Sequence, residues 1–216
     1  MIHLLNIHTT TETAIVNLMA GPEILGTFSN QETKQHASFL HTSIRGLLEQ
    51  HCIDIKNLDA IGVTAGPGSY TGIRVGLATA MGFCYALKLP LITFNALEVM
   101  AIAATSFAKD THAFYCPMID ARRMEVYTAI YNYDMEEIIS PSALILNENS
   151  FTELPGLPKI FFSGKGSDKF QQISKYTNAI FLPQEISSES LAKISWEKYI
   201  KSDFKNIPYA QPLYIK

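Results

Sequence analysis

Ala65-Gly66-Pro67-Gly68-Ser69-Tyr70-Thr71-Gly72-Ile73-Arg74-Val75-Gly76 is a glycine-dense turn between an apolar strand, Leu58 to Thr64, and a long run of unusually small residues. Glycine opens positive φ, while proline fixes φ and removes a donor, so Gly66, Pro67 and Gly68 punctuate the chain sharply. A helix begins just beyond them with Ser69 or Thr71 as N-cap, and its periodic stretch from about Gly72 to Leu87 ends near Pro90.

Two uses of this strand, turn and helix compete. In one, the free amides at the helix start hold an anion at Gly68 and Ser69, with Arg74 as the only cation between Ala65 and Ala80. The P-loop pattern is absent, because no lysine follows the second glycine, and so is Gly-x-Gly-x-x-Gly with its later acidic residue. In the other, small side chains let another helix come close. Gly72, Gly76 and Ala80 recur every four residues, and so do Ala78, Gly82 and Ala86. A glycine in mid-helix costs roughly 0.5–1 kcal/mol against alanine, so Gly76 and Gly82 call for an offsetting close contact.

Composition bounds the remaining possibilities. A chain of 216 residues that is 47% hydrophobic can bury one or two ordinary cores. With a net charge of −3 and no run of Lys and Arg, it lacks the basic stripe of a protein that binds tRNA strongly by itself. Cys52, Cys84 and Cys116 are scattered, with no Cys-x-x-Cys pair, and read as buried reduced thiols. The start of the chain has no basic n-region, and the most apolar stretch, Leu89 to Ala104, is broken by Pro90, Asn95 and Glu98. A cytoplasmic protein with no membrane segment is expected.

Along the chain, Ile2 to Ile7 and Ala14 to Met19 read as a hairpin around a threonine-rich turn, followed by a strand near Ile24 to Ser29. Gln31 to Gln50 carries Leu40, Ile44, Leu47 and Leu48 at the spacing of one helical face. Then come strand Leu58 to Thr64, the small-residue helix, strand Leu91 to Phe94 and a helix from Leu97 to about Phe107. This order argues for a mixed sheet with helices on its faces. The second half opens with strand Ala113 to Ile119, passes Asp120-Ala121-Arg122-Arg123-Met124-Glu125 and continues as an alternating strand to Tyr133, a second hairpin. A polar connection leads to strand Lys159 to Ser163, the Gly164-Lys165-Gly166 turn, and helices at Ser167 to Tyr176 and near Ser188 to Lys201. Two ribonuclease-H-like halves are expected, 1–108 and 109–216, the second shorter in helix.

Together the threonine hairpin, the run Ala65 to Ala86, Ala121-Arg122-Arg123-Met124-Glu125-Val126-Tyr127, the Gly164 turn and the closing Pro212-Leu213-Tyr214-Ile215-Lys216 resemble the bacterial TsaB (YeaZ) family over nearly the whole chain. The resemblance implies an α/β, two-lobed fold of the actin, Hsp70 and sugar-kinase ATPase type. It also implies an accessory subunit without catalysis of its own, which pairs with a TsaD-like subunit and, through the complex, with a small TsaE-like ATPase. Together these place threonylcarbamoyl on the adenosine beside the tRNA anticodon. Contact with tRNA would come only through the complex, and a homodimer would form when the chain is alone. No cofactor would be required by this chain, with ADP or ATP possible at the partner interface. Older names in the family mention glycoprotease and peptidase activity.

The residues test that implication. An ATPase of this fold needs an aspartate in the first hairpin to organise metal and water beside the phosphates. Here the matching stretch is Ile7-His8-Thr9-Thr10-Thr11, and His8 stands where the family usually has aspartate, so no carboxylate precedes Glu12. His8 reads as a hydrogen-bonded turn histidine. The six histidines form no His-Glu-x-x-His or His-x-x-x-His pair, and His36 and His41 point about 140° apart on a helix, so no metal site or catalytic residue is assigned. Ser69 lacks a nucleophile elbow and reads as a cap. Thr9, Thr10, Gly68, Ser69, Arg74, Arg122 and Arg123 form the anion- or nucleotide-contacting set. Arg122 and Arg123 either take part in an ion pair near the hairpin or reach a partner or cleft, with strand alternation placing them on opposite faces. The partner interface is expected on His36, Leu40, Ile44, Leu47 and Leu48 of one helix and Gly72, Val75, Gly76, Thr79 and Phe83 of the other. Gly76→Leu would then leave a folded monomer unable to associate.

Overall fold

The computed structural model describes residues 1–31, 36–183 and 185–215. Strand β1 (His3–His8) pairs antiparallel with β2 (Ala14–Ala20), which pairs with β3 (Glu23–Asn30). Helix α1 (His36–Gln50) leads to β4 (Ala60–Gly66), and α2 (Tyr70–Leu87) leads to β5 (Leu91–Asn95), both strands parallel to their inner neighbours. The sheet order is β3-β2-β1-β4-β5. Residues 32–35 of the expected first helix and the side chain of His36 lie outside the described residues.

Alternation along the strands sorts the side chains by face. On one face Leu5, Ile7, Val16, Leu18, Ile61 and Val63 meet Leu40, Ile44, Leu47 and Leu48 of α1 and Leu77, Ala80 and Cys84 of α2 in a single buried cluster. The other face carries Asn6 and Asn17, whose amides pair at 2.8 Å. There α5 (Ser188–Ile200), started by a Ser187 capping box, packs against β1, β2, β3 and β5, and Asn17 Nδ2 donates to the Ser188 carbonyl at 3.0 Å.

A second five-stranded sheet has the order β10-β9-β6-β7-β8. It is built from β6 (Phe114–Asp120), β7 (Glu125–Tyr131), β8 (Glu137–Ile145), β9 (Ile160–Ser163) and β10 (Ala179–Leu182), with α3 (Ala96–Ala108) and α4 (Lys165–Ile173). Its core holds Cys116, Met118, Val126, Ile160 and Phe162 against Phe170 of α4. Strands β8 and β10 are not anticipated by the sequence reading. β8 carries Pro141, which an edge strand tolerates because one side of its backbone needs no ladder partner.

The chain forms two compact units, Met1–Ala96 with Ser187–Leu213, and Leu97–Ile186 with the residues from Tyr214 on. The expected division into 1–108 and 109–216 is therefore corrected: the last helix returns to the first sheet, and α3 belongs with the second. The first unit holds helices of 15, 18 and 13 residues and the second of 13 and 9, so the second is the shorter in helix while its sheet has the same strand number.

Candidate functional site

The glycine turn brings the threonine hairpin onto the start of α2. Gly68, at φ 145°, adopts a backbone that favours glycine, and a side chain there would run into the Thr10 carbonyl. That carbonyl accepts the Ser69 N–H at 2.7 Å. Ser69 is the N-cap, as one of the two expected candidates, with its hydroxyl taking the Gly72 amide at 3.3 Å and its carbonyl the Ile73 amide at 2.8 Å. The Thr9 hydroxyl donates to the Gly72 carbonyl at 2.7 Å. From the other side, Leu213 N–H donates to the Ala65 carbonyl at 2.7 Å, tying the tail to the end of β4.

His8 completes this closure. It is fully buried, with Nδ1 3.1 Å from Thr64 Oγ1 and 3.4 Å from Thr10 Oγ1, and Nε2 2.8 Å from Thr11 Oγ1. Both ring nitrogens therefore have hydroxyl neighbours, as a buried imidazole requires. Thr64 and Thr11 are the partners that sequence reading misses. The signal for Thr64 is a hydroxyl at the end of an otherwise apolar strand.

The hairpin threonines and the glycine turn are engaged with one another. Thr9 and Thr10 face inward, Gly68 is filled by Thr10, and Ser69 caps its own helix. Arg74 lies over the Tyr70 ring, its Cζ 3.9 Å from the ring centroid. Within the first unit Thr9, Thr10, Gly68 and Ser69 thus make a closely packed turn, with Ser69 and Arg74 on its exposed side.

The expected interface residues divide between core and surface. Leu40, Ile44, Leu47 and Leu48 are in the cluster beneath α1, at most 6% exposed. Gly72 and Gly76 are buried as well, where an added Cβ would meet the Thr9 carbonyl and the Thr9 hydroxyl respectively. These six residues are corrected from partner contacts to core contacts, because the sheet takes the face that was assigned to another subunit. Val75, Thr79 and Phe83 remain half-buried, while Arg74, Ala78, Gly82, Tyr85 and Ala86 are exposed, Tyr85 by 80%.

Arg122 and Arg123 do not alternate along a strand. They occupy the β6–β7 turn at φ 72° and 44°, with Ala121 N–H donating to Glu125 O at 3.1 Å and Asp120 Oδ1 accepting Arg122 N–H at 2.6 Å. The ion pair of this region is instead Lys169 Nζ to Asp120 Oδ1, also 2.6 Å. Both arginines are exposed and neither forms an ion pair among the described residues.

The other titratable groups have structural settings. Burial pushes the thiols of Cys84 and Cys116 up to about 12. Asp110 is held below the usual carboxylate range by Lys159, and Asp203 by Lys198. No group of three His, Cys, Asp or Glu side chains among the described residues could hold a metal, and no helix among them is long and apolar enough to cross a membrane.

Residues 23–206 match the family model described as TsaD, tRNA N6-adenosine threonylcarbamoyltransferase. The tRNA threonylcarbamoyladenosine biosynthesis protein TsaB of Bacillus subtilis is 27% identical over 146 residues, covering 66% of this chain and 62% of that protein. YeaZ from Pseudomonas aeruginosa superposes with a TM-score of 0.86 at 24% identity, covering all of both chains. The chain belongs to this family, among its TsaB (YeaZ) proteins. A more distant likeness, TM-score 0.55 at 11% identity over 93% of this chain and all of that one, is to the inorganic polyphosphate/ATP-glucomannokinase of an Arthrobacter strain. The chain therefore has the expected α/β fold of the sugar-kinase type. The alignment with the Bacillus TsaB spans less than two thirds of that protein's length.

Proposed function

We propose that the chain is a non-catalytic subunit in tRNA threonylcarbamoyladenosine biosynthesis, pairing with a TsaD-like subunit in the cytoplasm and reaching a small ATPase and tRNA through that complex. The observation that carries this reading is the closely packed turn. His8 sits among three threonine hydroxyls where an ATPase of this fold needs a carboxylate, and the Thr9 and Thr10 carbonyls lie close against Gly72 and Gly68. A relative named for the same biosynthesis supplies the process.

The pairing surface is the outward side of α2, where Ala78, Gly82 and Ala86 leave a shallow track beside the exposed Tyr85 ring. Small side chains admit a second helix closely, and tyrosine supplies rigid contact area. Without the TsaD-like subunit, two copies of the chain would meet on this side as a homodimer. ADP or ATP, where present, would belong to the paired surface, supported by the partner's residues.

Depletion of the chain in its own cells, with threonylcarbamoyladenosine measured by mass spectrometry of digested tRNA, tests the reading. The modification is expected to fall and to return with the wild-type chain, which co-purifies with the TsaD-like subunit in near-equal amount. Unchanged modification would overturn the proposal. Steady nucleotide turnover by the purified chain alone would favour a free-standing kinase or ATPase instead, and cleavage of relatives a peptidase.

A further inference from the structure

A groove of about 450 Å³ lies between the β2–β3 turn and α5 in the first unit. Ile24 and Trp196, the chain's single tryptophan, form its apolar side, and Glu23, Glu189 and Glu197 stand around it with Lys193. The Trp196 ring is only half-buried, and it is steadied by stacking on Tyr199 at a centroid distance of 6.1 Å. All three glutamates are exposed, and none is ion-paired among the described residues. An indole face ringed by more carboxylates than ammonium groups suits a guanidinium, which can stack on the ring while its fork reaches a carboxylate.

The β6–β7 turn in the second unit has the complementary chemistry. Arg122 and Arg123 are exposed, and their left-handed backbone is held by the Asp120 carboxylate and the turn's own hydrogen bonds. Non-glycine residues rarely adopt that region, and two in succession set both arginines at the tip of the turn. Beside them Met124 is 37% exposed and Ile145 71%, an apolar margin at the same tip. Arginine, tryptophan and methionine are the side chains that protein interfaces favour, and among the described residues neither the two guanidinium groups nor the three glutamates form an ion pair.

We propose that the groove and the turn are two halves of one contact, made between two copies of the chain, with an arginine of one copy seated on Trp196 of the other. The charge complementarity singles out this occupant: net negative groove, doubly positive turn, each with an apolar margin for the other. The contact is separate from the outward side of α2.

Sedimentation equilibrium of the full chain over a range of concentrations and salt tests this. Wild type is expected to associate beyond the homodimer on the outward side of α2, and this further association to weaken as salt screens the exposed charges. R122E/R123E and E189K/E197K should each weaken it about tenfold or more, whereas an equimolar mixture of the two variants should restore it, because each then offers what the other lacks. All four positions are exposed, so the folded state tolerates these changes, and R122K/R123K should keep part of the affinity through charge alone. A monomeric wild type would overturn the proposal. So would association that ignores both charge reversals, which would place it on another face, or a mixture that behaves no better than its components.

Discussion

Helix α2 bears the same spacing of small residues on two sides, and the two sides have opposite fates. Gly72, Gly76 and Ala80 continue into Cys84 and lie on the sheet, whereas Ala78, Gly82 and Ala86 face outward. Residues two apart on a helix point about 200° from each other, so one stripe had to face in if the other faces out. The inner one brings the helix down until Gly76 meets the Thr9 hydroxyl with Ile7 and Val63 Cγ2 atoms 3.6 Å from its Cβ position, while Gly82 has nothing within 4 Å. Identical spacing thus serves the core on one side and remains available to a partner on the other. A small-residue stripe is a statement about distance of approach, and only its flanks say what approaches.

The same bulky residue placed on each side of α2 should have opposite effects. Gly76→Leu is expected to destabilise the fold by about 3 kcal/mol or more, since the Thr9 hydroxyl and strand β1 must move aside. Urea denaturation would measure it, and a variant of wild-type stability would show that the helix can lift from the sheet. A milder test of the inner side is Thr9→Val, which keeps the shape but removes the bond to the Gly72 carbonyl. It should lower the midpoint in the same experiment by an amount equivalent to about 1 kcal/mol. Gly82→Leu should leave the fold unharmed or raise its stability by up to about 1 kcal/mol through helix propensity, while abolishing co-purification with the TsaD-like subunit. Retained pairing in that variant would move the partner off this side of the helix.

The gentlest probe changes nothing in the sequence. Cys84 lies on the inner side with its thiol pushed up to about 12 by burial, and Cys116 is held likewise in the second unit, whereas Cys52 is exposed. The thiolate is the reactive form, so a thiol reagent near neutral pH should modify Cys52 promptly and the other two only as the protein opens. Mass spectrometry of the labelled peptides would read this out, and early labelling of Cys84 would mean that α2 leaves the sheet readily.

These particulars also mark what the sequence disclosed. The hairpin, the alternation of strands and helices and the capping by Ser69 were legible because each rests on neighbours in the chain: threonines in a turn, apolar runs of strand length, a hydroxyl before a helix. The inward side of α2 was legible too, in Ile73 and Leu77 beside the inner stripe and Arg74 and Tyr85 beside the outer, but a reading centred on the glycines passes over those flanks. The same reading took Leu40, Ile44, Leu47 and Leu48 for a partner's surface, since an amphipathic helix looks alike whether a sheet or another subunit covers it. Strand β8 was hidden by Pro141 and its exposed edge, and the arginine turn by a left-handed backbone that no residue type in Arg122-Arg123 announces. The closely packed site was half visible. Histidine in place of aspartate could be seen, but the Thr64 hydroxyl that holds it is 56 positions away.

The return of α5 to the first sheet has a consequence for synthesis. The first unit is discontinuous, with the second set between its two segments. A ribosome therefore releases β1 to β5 well before Ser187 to Leu213, and the sheet face that carries Asn6 and Asn17 waits uncovered while the whole of Leu97 to Ile186 is made. The inserted unit emerges almost without interruption and can close as it appears, whereas the first cannot be completed until α5 has left the ribosome.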